Sequence, residues 1–139
     1  MSDPIDIDDC FACQSIILTL EESPYFSFPE LACSHCGHCH INPKAFQELS
    51  RLRWLMDLPM PITSGYRCQH HPAEAKKRNP GYHTRGQAFD VQCFGKNALR
   101  LIYMVLTSDF KGLGVSQKGC LGHRFIHIDT RSTEAVWSY

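Results

Sequence analysis

His83, Asp90 and His127 are the residues whose types best suit metal chemistry. A catalytic zinc takes three protein ligands from His, Asp, Glu or Cys and keeps one position open to solvent. His83 and Asp90 straddle a turn into a strand in His83-Thr84-Arg85-Gly86-Gln87-Ala88-Phe89-Asp90, and His127 lies within the apolar run Phe125-Ile126-His127-Ile128-Asp129. Two neutral imidazoles and one carboxylate around a zinc leave a net charge of about +1, enough to acidify water. Taken singly, each residue has a plainer reading: a hydrogen-bonded core histidine, or an aspartate serving a turn or an ion pair. Arg67, closing Ser64-Gly65-Tyr66-Arg67, is always charged and matches a carboxylate or a developing oxyanion with two donors. Its plainer reading is a surface ion pair worth little.

The eight cysteines form a second group. Cys10-x-x-Cys13 and Cys33-x-x-Cys36 are two metal knuckles, Cys39 adds a further step of the same spacing, and His35, His38 and His40 are interleaved. Two such pairs are the pattern of a closed structural zinc site. The expected ligands are Cys10, Cys13, Cys33 and Cys36, with Cys39 as substitute, tying the N-terminal region to the first helix. Clustered reduced thiols, or disulfides formed in air, are the competing reading. Cys68, Cys93 and Cys120 are expected to be buried or free.

The elements that must position these groups follow from periodicity. Residues 1–41 read as an irregular, cysteine-rich segment, and residues 42–139 as the domain proper. Asn42-Pro43 opens a helix to about residue 57, with Phe46, Leu49, Leu52 or Arg53, and Met56 on its buried face. Residues 61–64 read as a short strand, and a long polar loop runs from Gly65 to about Arg85; a loop of that length is usually functional or disordered. Its run Lys76-Lys77-Arg78 reads as a solvated face, with attraction of acidic peptides as the functional alternative. Residues 87–93 alternate as a strand. A helix over 96–109 should bury Leu99, Ile102, Val105 and Leu106. Residues 113–116 and 124–129 read as paired strands, and Trp137 and Tyr139 should pack back on the body. The order predicts one α+β domain, helices packed on a small, mainly antiparallel sheet.

The bulk properties agree with one modest core: 139 residues, 43% hydrophobic and 20% charged. Lys and Arg (14) balance Asp and Glu (14), which argues against nucleic acid as partner and against a zinc-ribbon DNA binder built on the cysteine pairs. No apolar stretch is long enough to span a membrane. The acidic start Met1-Ser2-Asp3-Pro4-Ile5-Asp6 is unlike a signal peptide, so synthesis in the cytoplasm is expected, as a monomer.

In combination, Ser64–Arg67, His83–Asp90 with Gly86 and Ala88 in place, and His127 resemble the zinc D-alanyl-D-alanine carboxypeptidase family. That family also contains D-Ala-D-Ala dipeptidases and phage L-alanyl-D-glutamate endolysins, and has a hedgehog-like metallopeptidase fold. The likeness covers about residues 25–139, and the ending through Trp137 is similar to the short phage members. It implies zinc held by His83, Asp90 and His127, with Arg67 on the substrate. The implied activity is hydrolysis of peptidoglycan stem peptides, foremost as a D-Ala-D-Ala carboxypeptidase and alternatively at L-Ala-D-Glu, at the cell wall in lysis or as a virion protein. Two positions depart from the family pattern. Gly81 replaces a serine, and Arg124 and Phe125 stand where relatives carry an acidic base. Asp129 and His123 are the replacement candidates. Asp129 shares a strand face with His127, their Cα atoms about 6–7 Å apart, close enough to reach water at the metal or to orient the ligand histidine. The missing acid also motivates a rival reading, a wall-binding module that keeps its zinc without catalysis.

Overall fold

The structure is a computed structural model that describes residues 10–22 and 25–139; the acidic stretch at 1–6 lies outside them. Its centre is a five-stranded sheet: β1 (Ile62–Ser64), β2 (Ala88–Gln92), β3 (Gly112–Ser116), β4 (Phe125–Asp129) and β5 (Ala135–Ser138), in the spatial order β1-β2-β4-β3-β5. All neighbours are antiparallel except β3 and β5, which run parallel. The helices are α1 (Phe11–Glu22), α2 (Phe28–Leu31), α3 (Pro43–Met56), α4 (Pro72–Ala75) and α5 (Gly95–Leu106). The fold is α+β, as the order of periodic segments predicts.

Strand alternation divides the sheet into two faces. Phe89, Val91, Leu113, Ile126 and Ile128 point to one side, where the core forms with Phe46, Leu49 and Leu52 of α3 and Leu101 and Val105 of α5. The residues between them occupy the other face, which faces the chemistry. There the register aligns one residue from every strand: Ser64 opposite Asp90, Asp90 opposite His127, His127 opposite Gly114, and Gly114 opposite Trp137. Directly opposed residues are side-chain neighbours, so Asp90 and His127 meet because of strand pairing alone.

Helix α3 starts where the sequence places it. The Asn42 side chain accepts the Ala45 N–H at 3.1 Å, Pro43 supplies the first turn, and Asp57 ends the helix in the left-handed region.

Two expectations are corrected. Residues 10–41 are not irregular throughout: α1 buries Cys13, Ile16 and Leu20 on one stripe, and α2 opens with the Glu30 carboxylate accepting the Ser27 N–H at 2.8 Å. Cys13, read as half of a metal knuckle, is also part of that helical stripe. In α5 the buried stripe is Ala98, Leu101 and Val105, whereas Leu99 is 69% and Leu106 74% exposed. That helix is apolar nearly all round, so its pattern admits more than one stripe. The tail does pack back on the body, Trp137 against His127 and Tyr139 against Phe125, and it does so from a strand, β5, that the sequence reading did not include.

Candidate metal centre

The Ser64–Arg67 segment turns over the end of α2, with the Tyr66 N–H bonded to the Leu31 carbonyl at 2.9 Å. This leaves the Gly65 carbonyl to accept His83 Nδ1–H at 2.7 Å. Gly86 sits at φ +69°, in the left-handed region, and any Cβ there would collide with the His40 carbonyl. The segment 40–42 can therefore press against the turn that presents His83, and the Asn42 N–H bonds Gly86 O at 2.8 Å.

His83, Asp90 and His127 converge and are buried. His83 Nε2 and His127 Nδ1 are 3.2 Å apart, and Asp90 Oδ1 lies 3.2 Å from the first and 3.0 Å from the second. Tautomers follow from the outer partners. A carbonyl only accepts, so His83 carries its proton on Nδ1. His127 Nε2 sits 2.7 Å from Asp129 Oδ2, so its proton is there. Two lone pairs and a carboxylate oxygen then face one another with no donor between them, an arrangement that calls for a cation. The separations also suit donors on one zinc, whose bonds of about 2.0–2.2 Å set ligand spacings of about 3.3 Å. Burial disfavours a charged His127, but Asp129 and Asp90 outweigh it and raise its pKa. Burial likewise opposes the charge on Asp90, yet the two histidines hold its carboxyl well below the usual range.

Asp129 stands behind His127. Its oxygens also accept Arg131 Nε at 2.8 Å, Arg131 Nη2 at 2.7 Å and the Arg131 backbone N–H at 3.1 Å. Burial would raise its pKa; Arg131 and His127 hold it well below the ordinary value. A Cβ on Gly112, its cross-strand neighbour, would strike this carboxylate. The geometry is that of a carboxylate fixing a ligand histidine from its far side. His123 is exposed on the turn Leu121–His123 and lies outside the lining of the cavity over the triad.

That cavity holds about 420 Å³, and Arg67, Lys77, Tyr82, Arg131, Trp137 and Tyr139 contribute to its walls. Arg67 donates to Ser64 Oγ at 2.7 Å, Asp90 Oδ2 at 3.1 Å and Glu74 Oε1 at 3.3 Å. Glu74 is a buried residue that the sequence reading missed. It also binds Lys77 Nζ at 3.1 Å and accepts the Gly81 N–H at 3.2 Å, so it anchors both sides of the polar loop. A Cβ on Gly81 would approach Lys77 Nζ and Glu74 within 3.1–3.2 Å, so that position is tight. Arg131, also missed, lies 4.6 Å from the Tyr82 ring centroid and 4.7 Å from that of Trp137. The alternate glycines Gly112 and Gly114 were the available signal, since glycine within a strand marks close approach. Trp137 crosses Gly114 to reach His127, ring centroids 5.1 Å apart.

The cysteines divide differently from the expected foursome of Cys10, Cys13, Cys33 and Cys36. Cys10 and Cys13 gather with His38 and His40, whereas Cys33 and Cys36 gather with Cys68. Cys39 is in neither group; it is buried, and its N–H donates to Cys13 Sγ at 3.3 Å. A pair spacing shows which two thiols share a site, not which distant ligands complete it. Burial disfavours the Cys33 thiolate, but the backbone N–H groups of Cys68, Cys36 and His35 outweigh it and lower the pKa. Cys36 beside it is pushed up to about 12, chiefly by burial. Cys68, expected to be buried or free, is thus drawn into a thiol cluster directly after Arg67. Cys93 is half-buried and Cys120 exposed.

The family model described as Peptidase M15 matches residues 24–129, well over half of the chain. This chain belongs to the peptidase M15 family. The match spans every residue of the triad as well as Arg67, Glu74 and Asp129. None of the curated proteins compared matches the chain. M15 membership makes the protein a zinc-dependent peptidase acting on peptidoglycan, in agreement with a donor set that fits a zinc. Among the described residues, no helix is long and apolar enough to cross a membrane.

Proposed function

We propose that this M15 peptidase hydrolyses peptidoglycan stem peptides at the His83–Asp90–His127 centre, foremost by releasing the terminal D-alanine of D-Ala-D-Ala. The observation that carries this reading is a triad sealed from behind by Gly65 O and Asp129 yet bordering a cavity on its other side. Zinc held by His83 Nε2, Asp90 Oδ1 and His127 Nδ1 would polarise the scissile carbonyl and lower the pKa of water.

The chain's own residues do the rest. Asp129 and Arg131 keep the His127 proton on Nε2, so that Nδ1 faces the metal. Asp129 is therefore a positioning residue rather than the proton carrier. Arg67, preset by Ser64 and Glu74, and Lys77 bring positive charge to the cavity and suit a terminal carboxylate or a developing oxyanion. Trp137 and Tyr82 add aromatic surface to its walls.

One observation favours a second reading. Arg67 already spends donors on Asp90 and Glu74, which weakens its grip on a free carboxylate and suits an internal bond such as L-Ala-D-Glu. A synthetic stem pentapeptide incubated with zinc-loaded protein separates these outcomes by mass spectrometry. Loss of one D-alanine is the expected result. A cut at L-Ala-D-Glu establishes the endopeptidase, and tight binding with no cleavage establishes a non-catalytic wall-binding module.

A further inference from the structure

Away from the triad, four potential ligands from two separate segments meet at the N-terminal end of α1. Cys10 lies just before the helix and Cys13 within its first turn, while His38 and His40 come from the extended stretch before α3. Their ligand atoms all lie within 4.8 Å of one another. Cys10 Sγ is 3.3 Å from His40 Nε2, and Cys13 Sγ is 3.4 Å from His38 Nδ1. Zinc bonds of about 2.3 Å to sulfur and about 2.0–2.1 Å to nitrogen set sulfur–nitrogen spacings of about 3.5 Å in a tetrahedron. The four side chains stand close to that arrangement.

We propose that Cys10, Cys13, His38 and His40 hold a structural zinc ion, separate from the peptidase centre and closed by four protein ligands. Binding converts two thiols to thiolates and releases their protons to solvent. Two thiolates and two neutral imidazoles cancel the ion's charge, which suits a half-buried position. The Cys39 N–H on Cys13 Sγ, at 3.3 Å, supplies the hydrogen bond that steadies a thiolate ligand.

The placement gives the ion a task. It pins α1 to the segment 38–40. The His40 ring in turn packs on Tyr66 with centroids 5.0 Å apart, and the His40 carbonyl presses on Gly86. The site thus braces the backbone beneath both the Arg67 and the His83 turns, without contributing an atom to either.

Native mass spectrometry of the full chain, expressed with zinc and kept reduced, counts its ions. The double variant Cys10→Ser/Cys13→Ser is expected to carry one zinc fewer than the parent. An unchanged count would overturn the proposal, as would a Cys10–Cys13 disulfide in protein alkylated at lysis. If the double variant does not fold, His40→Ala and His40→Cys replace it. The alanine variant should lose one ion. The cysteine variant should keep it and, with cobalt in place of zinc, gain thiolate-to-cobalt charge-transfer absorbance. Equal counts in this pair, whether both keep the ion or both lose it, would equally overturn the site.

Discussion

On the proposed reading, Asp129 governs the metal site without touching the metal. Its carboxylate fixes the tautomer of His127, and Arg131 fixes the carboxylate. Asp129→Asn should therefore weaken zinc at the triad by about 10–100-fold, the usual effect of losing such a partner. Competition against a graded series of chelators would measure it, and an unchanged affinity would mean that His127 needs no such support. The motif residues His83, Gly86, Ala88, Asp90 and His127 could be read from the sequence because together they resemble a known family pattern, whereas each alone has a plainer reading. Glu74 could not be read, since its place beneath Arg67 depends on the path of the whole polar loop. Nor could the role of Asp129 be settled among its alternatives. An aspartate two residues beyond a ligand can face the reaction or back the ligand, and the contacts of Asp129 with Gly112 and Arg131 favour the second on the proposed reading.

At the scale of elements, α3 and α5 hold the sheet whose far face carries the site. Period-two alternation made the strands legible, and the Asn42-Pro43 cap made the start of α3 legible. The apolar excess of α5 hid its orientation. Leu101→Ala should cost about 2–5 kcal/mol, as for other buried leucines, whereas Leu99→Ala should stay within about 0.5 kcal/mol. Denaturant melts of the two variants check this, and equal losses would contradict the observed face.

Helix α3 also carries a pH-sensitive group. Arg51, with Nη2 2.6 Å from the carboxylate, holds Glu48 below its usual pKa against the effect of burial, and the Asp109 N–H adds to this. A carboxyl depressed in the folded state stabilises above its unfolded pKa of about 4.3 and loses that contribution as the pH falls through its folded value. The stability gap between wild type and Glu48→Gln should thus be widest near neutrality and close under acid. A gap independent of pH would show that the ion pair does not contribute.

Over the whole molecule, the sheet brings distant residues together in a single row, and the Cys10–Cys13–His38–His40 group packs beneath the turns that deliver Arg67 and His83. The fold class was legible because alternating and helical periods rarely coincide. The partition of the cysteines was not, because it is set by where α1 lies, and α1 itself was read as irregular chain. The central claim is that one zinc, held by His83, Asp90 and His127, makes this protein a peptidoglycan peptidase. The most direct test compares release of new amine termini from purified peptidoglycan by zinc-loaded wild type and Asp90→Asn. The account predicts release by wild type, and only background from a variant that holds one zinc fewer. Equal release by both proteins, or none from wild type with its triad occupied, would contradict it.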